Sequence, residues 1–333
     1  MKVNAYAAHE PKGELSPYTY ELGELPDDHV DIKVAYCGIC HSDLSMINNE
    51  WRNAKYPLVP GHEITGEVVA LGSAVKNLKI GDKVGVGWFA ESCMSCSSCM
   101  SGSHHLCASR KSTISRHGGF ADHVRSHWAW AVPLPEGIDM SKAGPLLCGG
   151  ITVFNPIIVA GVQPIDKVGV IGIGGLGHLA VKFLKYWGCE VVAFSSSESK
   201  KTSILDMGVT KVVNSRSDDD LKTIRGQLDF IINTTNVTLN WSSYLKALAP
   251  KGKFFNVGMV LEPMKISSGS LIAGEKVVGG SPVGSPALVR KMLDFCVRHN
   301  IYPDVEEYSI SAVNEALAHL ESGKARYRVV LKA

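Results

Sequence analysis

Val168-Gly-Val-Ile-Gly172-Ile-Gly174-Gly175-Leu176-Gly177 is the stretch whose reading decides the fold. A short apolar run ends in Gly-x-Gly-x-x-Gly, and Leu176, Leu179, Ala180, Phe183, Leu184 and Trp187 follow at helical spacing. The pattern is a strand, a tight turn and a helix. In that setting Gly172 permits the turn, Gly174 lets backbone amides approach a pyrophosphate, and Gly177 lets helix and strand pack closely. Gly175 and Leu176 complete the loop, and the helix N-terminus faces the bound negative charge.

Working outward toward the C-terminus, strand and helix patterns alternate: Glu190–Phe194, Lys200–Met207, Lys211–Asn214, Leu221–Arg225, Asp229–Asn233, Trp241–Leu248 and Gly252–Val257. Such alternation predicts a doubly wound parallel sheet with helices on both faces. The second strand runs into Ser195-Ser196-Ser197-Glu-Ser-Lys200-Lys201. A site for NAD wants a carboxylate there, to accept from the ribose 2′-hydroxyl. Ser195 and Ser196 stand in its place, with Lys200 one turn later, and hydroxyls beside an ammonium suit a 2′-phosphate. NADP(H) is therefore the expected cofactor. Lys200 and Lys201 also fit a solvated helix face, and Glu198 is expected to point outward.

On the N-terminal side the residues read as many short strands punctuated by Gly and Pro. Val30–Tyr36 alternates apolar and polar, and Ile64–Ala70 and Val84–Val86 are further strands. This predicts a mostly antiparallel β domain. Leu288–His299 and Val313–Leu320 read as helices and Tyr327–Leu331 as a last strand, a tail expected to return to the first domain. The expected division is 1–149 with 285–333, and 150–284 for the nucleotide domain.

Composition agrees with two soluble domains. The chain has 333 residues, 45% hydrophobic and 20% charged, which is ordinary for globular proteins. A net charge of +2 gives no electrostatic reason for nucleic acid or an anionic membrane as partner. The N-terminus lacks the apolar stretch of about 7–15 residues found in a signal peptide. No apolar run reaches the roughly 20 residues needed to cross a bilayer. A cytoplasmic location is expected, where nine cysteines are better read as thiols than as disulfides.

Two groups of residues have metal-binding chemistry. Cys93, Cys96, Cys99 and Cys107 are four thiols separated by two, two and seven residues in a polar segment. That is the spacing of a closed, structural zinc lobe, at about 90–110. The second group is Cys37-Gly-Ile-Cys40-His-Ser-Asp43 with Gly61-His62-Glu63 and Cys148, in Gly144-Pro-Leu-Leu-Cys148-Gly-Gly. Two cysteines and one histidine with an open position make a catalytic zinc site. Spacing does not decide between Cys37 and Cys40. Cys148 is as readily a buried structural thiol, and His62 a core histidine. His104, His105, His117, His123 and His127 read as surface residues, and Trp51 and Trp88 as core residues or pocket walls.

Together these motifs resemble the zinc-dependent medium-chain alcohol dehydrogenases, nearly end to end. The Ser195-Ser196 and Lys200 pattern narrows the resemblance to the cinnamyl-alcohol-dehydrogenase-like branch. The strings Gly-Ile-Cys-His-Ser-Asp-Leu-Ser-Met-Ile and Gly-Lys-Ala-Arg-Tyr-Arg-Val-Val-Leu resemble bacterial NADPH-dependent aldehyde reductases most. The resemblance implies a GroES-like catalytic domain interrupted by a Rossmann domain. It implies Cys40, His62 and Cys148 as catalytic zinc ligands, Glu63 behind them or exchanging as a ligand, and Cys37 as packing. Ser42 matches the hydroxyl that hands a proton between the reacting oxygen and solvent. His41 matches the residue facing the cofactor phosphate, and Thr152 lies where the family contacts the cofactor. Many relatives carry a histidine at the position of Ser45, so the onward path could use Ser45, His41, the cofactor ribose or water. The resemblance also implies a homodimer joined through a sheet edge, for which Lys276–Gly280 is the expected stretch.

The expected activity is reversible hydride transfer between NADPH and an aldehyde, with zinc as Lewis acid. A zinc-independent quinone or enone reductase of the same superfamily would lack Cys40, His62 and Cys148. A zinc- or NADP(H)-sensing protein would keep the ligands but oxidise no NADPH with any aldehyde.

Overall fold

The computed structural model describes residues 1–333 as two compact units, Met1–Ile151 with Gly284–Ala333, and Thr152–Val283.

In the second unit six parallel strands lie in the order Lys211–Asn214, Glu190–Ser195, Lys167–Ile171, Leu228–Asn233, Leu248–Asn256 and Val277–Gly280. This is the doubly wound sheet the alternation predicts. Val168, Val170, Val192, Ala193 and Ile231 are fully buried, as strands covered on both faces require. The helix Gly177–Trp187 buries Leu179, Ala180, Phe183 and Leu184 and ends at Gly188 in the left-handed conformation. Val277–Gly280 is the outermost strand, so its free side is a sheet edge.

The first unit is built on a seven-stranded, mostly antiparallel sheet. Its path runs Val305–Ser309, Arg328–Lys332, His29–Ile39, Glu63–Leu71, Lys83–Val86 and Val132–Pro133, with His123–His127 also on His29–Ile39. The C-terminal strand pairs directly with the strand that leads into the first cysteine motif, Val329 opposite Ile39. The tail thus lies in the first unit.

Three local readings differ from the structure. The helix read at Leu221–Arg225 is found at Asp218–Lys222. Ser217 caps it by accepting the Asp220 N–H, and three aspartates in the first turn suit the helix dipole. A helix at Gly149–Val159 was not read from the sequence, because two glycines, β-branched residues and Pro156 have poor helix propensity. Burial of Ile151, Val153, Phe154 and Ile157 overrides that preference. Finally, His105 and His127 are buried rather than on the surface, and burial lowers the pKa of both.

Candidate metal centre and nucleotide loop

The long strand ends at Ile39, and Cys40 caps the short helix His41–Ile47. The third helical residue, Asp43, closes a capping box by accepting the Cys40 N–H at 2.8 Å. The same carboxylate accepts the Gly61 N–H at 2.9 Å and bonds His62 Nδ1 at 2.9 Å. Asp43 has no exposed surface. It therefore ties the helix start to the loop that carries His62. With Nδ1–H donated to Asp43, His62 Nε2 is the atom left with a lone pair.

That nitrogen lies 3.3 Å from Cys148 Sγ, and Cys148 Sγ lies 4.0 Å from Cys40 Sγ. One ligand atom from each of Cys40, His62, Glu63 and Cys148 falls within 4.8 Å of the others, and all four residues are buried. Two sulfurs at ~2.3 Å from one tetrahedral zinc would be about 3.8 Å apart, and a sulfur and a nitrogen about 3.5 Å. The donor set and spacing fit zinc. Cys37, in contrast, sits opposite Ile64 in the sheet with its side chain in the core, and burial pushes its thiol pKa well up.

The charges around the cluster are strongly coupled. A hydrogen bond from Cys148 favours the Cys40 thiolate against the cost of burial, with His62 adding to the effect, so Cys40 is held well below the ordinary thiol range. Cys148 is correspondingly pushed up, first by that bond and then by burial. Burial works against protonated His62, but Asp43 and Cys40 outweigh it and raise the imidazole well above its usual value. Burial also raises Glu63. Glu63 faces Gly38 across the ladder, where a Cβ would come within 2.1 Å of Glu63 Oε2. Its Oε1 accepts from Arg328 Nη2, while Oε2 is buried without a partner. An orphaned carboxylate oxygen beside two sulfurs and a nitrogen suits a cation.

Ser42 is half-buried on the helix and His41 exposed at its first position. Ser45, one turn after Ser42, is buried and donates to Glu50 Oε2 at 2.7 Å. Glu50 is exposed, so this bond joins the buried face of the helix to solvent. Trp88 packs edge-on against the His62 ring, with centroids 4.6 Å apart, and Trp51 packs edge-on against Trp88 at 5.8 Å.

The other four cysteines also converge. Cys93 Sγ lies 3.9 Å from Cys99 Sγ and 3.5 Å from Cys107 Sγ, and the four sulfurs of Cys93, Cys96, Cys99 and Cys107 fall within 4.8 Å. Backbone N–H groups of Ser95 and Cys96 lower the exposed Cys93 thiol to about 6, whereas burial first among several causes raises Cys99 to about 11.

In the second unit, Gly172 adopts φ +83° directly after the first strand. A Cβ on Gly177 would meet the Gly172 carbonyl oxygen at 1.8 Å, whereas one on Gly174 would point into open space. The close approach at Gly177 and the clear space at Gly174 suit a loop that cradles a pyrophosphate, with Gly175 and Leu176 between them. Ser195 ends the second strand, its hydroxyl accepting the Ser197 N–H at 3.2 Å. Ser196 follows it, and Lys200 ends a single 3-10 turn. Glu198 pairs with Lys201 at 3.1 Å and is largely exposed, as expected. Thr152 is buried in the helix Gly149–Val159.

Asp43 and Arg328 were not singled out from the sequence. The available signals were an aspartate among the apolar residues Leu44, Met46 and Ile47, and an arginine opening an apolar strand.

This combination of a GroES-like sheet, a doubly wound nucleotide domain and two cysteine-rich clusters defines a class. Residues 26–136 match the alcohol dehydrogenase GroES-like domain and residues 175–298 the zinc-binding dehydrogenase domain. The chain belongs to the zinc-dependent medium-chain alcohol dehydrogenase family, in its cinnamyl-alcohol-dehydrogenase-like branch. It is 53% identical to the aldehyde reductase AdhA of Synechocystis sp. over 99% of this chain and 98% of that one. A cinnamyl alcohol dehydrogenase from Sorghum bicolor superposes with a TM-score of 0.95 at 38% identity, covering 100% and 98% of the two chains. A Helicobacter pylori cinnamyl alcohol dehydrogenase complexed with NADP(H) gives 0.91 at 33% identity, covering 100% and 98%. The chain is thus an oxidoreductase of the alcohol dehydrogenase and aldehyde reductase class.

Proposed function

We propose that this protein is a zinc- and NADP(H)-dependent aldehyde reductase, running reversibly as an alcohol dehydrogenase. The convergence of Cys40, His62, Glu63 and Cys148 carries the reading. When bound, zinc supplies Lewis-acid polarisation of a carbonyl and NADPH supplies the hydride. Cys40, His62 and Cys148 hold the metal, and Asp43 fixes the imidazole so that Nε2 faces it. Glu63, with one oxygen on Arg328 and the other free, is placed to exchange as a ligand. The four-cysteine lobe would hold a second, structural zinc, its four sulfurs lying within 4.8 Å of one another.

Ser42 supplies the proton that the product oxygen needs. In the opposite direction a proton leaves by the same hydroxyl. The Ser45 hydroxyl, already donating to Glu50, has lone pairs to accept from within, so the Ser45–Glu50 bond is the outward end of that path. Gly172 to Gly177 cradle the pyrophosphate, and Ser195, Ser196 and Lys200 receive the 2′-phosphate. His41 and Thr152 contact the cofactor. The Helicobacter relative's complex with NADP(H) supports that preference. The aromatic wall of Trp88 and Trp51 beside His62 favours apolar aldehydes.

The exposed edge of Val277–Gly280, with Met259, Leu261 and Ile272 exposed in the segment before it, supports a homodimer joined edge to edge. No single helix is long and apolar enough to cross a membrane, and a cytoplasmic location accords with the free thiols. The test follows NADPH absorbance with short, branched and aromatic aldehydes, repeats it with NADH, and measures zinc per subunit. Two zincs, a preference for NADPH and loss of activity on chelation are expected. A fully zinc-loaded protein that oxidises neither cofactor with any aldehyde or enone would refute the enzyme reading. Chelator-resistant enone reduction would favour the zinc-independent class.

A further inference from the structure

Arg216 has no part in anything described above, yet the topology brings it to the nucleotide end of the sheet. The strand Lys211–Asn214 lies parallel to Glu190–Ser195, with Asn214 opposite Ser195. Just beyond both ends, the Ser215 N–H donates to the Ser195 carbonyl at 3.1 Å. The turn after it is fixed by Asn214, whose side-chain oxygen accepts the Arg216 N–H at 3.0 Å. Arg216 is thereby held beside the Ser195–Lys200 segment, at the carboxyl ends of the strands where doubly wound sheets bind their ligands.

The charges nearby leave this residue available. Arg216 is exposed, and its guanidinium forms no ion pair. Of the three aspartates that follow, Asp219 pairs with Lys222 at 2.8 Å and Asp220 accepts the Asn214 N–H at 3.3 Å, while Asp218 is exposed and its charge acts on Lys222. Lys201 is taken by Glu198. At this strand end the cations without a carboxylate partner are therefore Lys200 and Arg216. A phosphomonoester carries close to two negative charges and three acceptor oxygens. One ammonium and two hydroxyls leave part of that charge uncompensated, and a planar guanidinium fork matches what remains.

We propose that Arg216 is a specificity-determining contact for the 2′-phosphate of the dinucleotide, closing on it from the side opposite Ser195, Ser196 and Lys200. The inference rests on the NADP(H) reading, and equilibrium binding separates the two. Dissociation constants of NADP⁺, NAD⁺, adenosine 2′,5′-bisphosphate and 5′-AMP are measured by calorimetry, without turnover, on the wild type and on Arg216→Gln, Arg216→Lys and Lys222→Gln. Arg216→Gln should weaken both 2′-phosphorylated ligands by about tenfold and leave NAD⁺ and 5′-AMP within about twofold. Arg216→Lys should recover part of the loss. Lys222→Gln, which removes a nearby cation already paired with Asp219, should change each constant by less than about twofold. A wild type that favours NADP⁺ and an Arg216→Gln variant that discriminates as well would overturn the role of Arg216 alone. Equal losses for all four ligands, or for Lys222→Gln, would reduce Arg216 to a general field effect and overturn it too. A wild type that does not favour NADP⁺ would overturn the cofactor reading and this inference together.

Discussion

Replacing Asp43 by Asn tests the centre without touching a ligand. Asp43 is fully buried and takes three donors: Oδ2 accepts from Cys40 N–H, and Oδ1 from Gly61 N–H and His62 Nδ1–H. An amide can offer its oxygen to one side only. The cheaper orientation keeps Gly61 and His62 and turns the Asn NH2 toward the Cys40 N–H. One buried donor then loses its partner, at about 1–3 kcal/mol. The two remaining bonds lose their charge assistance, roughly halving each. Part of this loss falls on metal binding, because the carboxylate no longer polarises His62. The expected fall in affinity at the catalytic site is about 10–100-fold, or roughly 1.4–2.7 kcal/mol. The sign of the pH dependence is also set. Asp43 raises the proton affinity of His62, so in the wild type protons compete harder for Nε2 as pH falls. The variant loses that competition along with its zinc affinity, and the two proteins should converge from pH 8 toward pH 6. Competition with a chromophoric chelator measures this, with the four-cysteine lobe as internal standard. A variant that keeps both zincs as tightly as the wild type at pH 8 would refute the positioning role of Asp43.

Three further outcomes follow from the geometry. Ser42→Ala should lower turnover about 10²–10⁴-fold while zinc content and NADPH binding stay unchanged, and unchanged turnover at all pH values would remove Ser42 from the proton path. In metal-stripped protein, iodoacetamide should label Cys93 with a midpoint near pH 6 and Cys99 only near pH 11, since backbone N–H groups stabilise the first thiolate and burial disfavours the second; mass spectrometry after a pH series checks the order. Gly177→Ala puts a methyl within 1.8 Å of the Gly172 carbonyl oxygen, so the loop must open. It should cost about 1–3 kcal/mol of stability and weaken cofactor binding, read by thermal melts with and without NADPH.

How far the site could be read beforehand depended on the distance between its parts. The cysteine lobe was legible because its four ligands lie within one short polar segment, Cys93 to Cys107, where spacing alone implies convergence. Cys40, His62 and Cys148 were legible as chemistry but not as a set. Spacing left Cys37 and Cys40 equivalent; the family resemblance implied Cys40, and the register places Cys37 inside the sheet opposite Ile64 and Cys40 beyond its end. Asp43 was not visible because two of its three partners are backbone N–H groups, one of them brought to it only by the fold. The doubly wound sheet, in contrast, announced itself through periodicity, which is a local property of the chain.

Arg328 shows why the last strand must come back. With zinc at the centre, two thiolates and Glu63 would outweigh the ion by one negative charge, in a unit where all three side chains are buried. An unbalanced buried charge is costly. Arg328, itself buried, supplies the missing positive charge through its bond to Glu63, from a position 265 residues further along the chain. Its own strand is held by Val329 to Leu331 pairing with Ile39 to Cys37, the residues leading into Cys40. The pairing that completes the sheet therefore also neutralises the metal centre, so the catalytic unit is assembled only once the chain has passed through the nucleotide domain and returned.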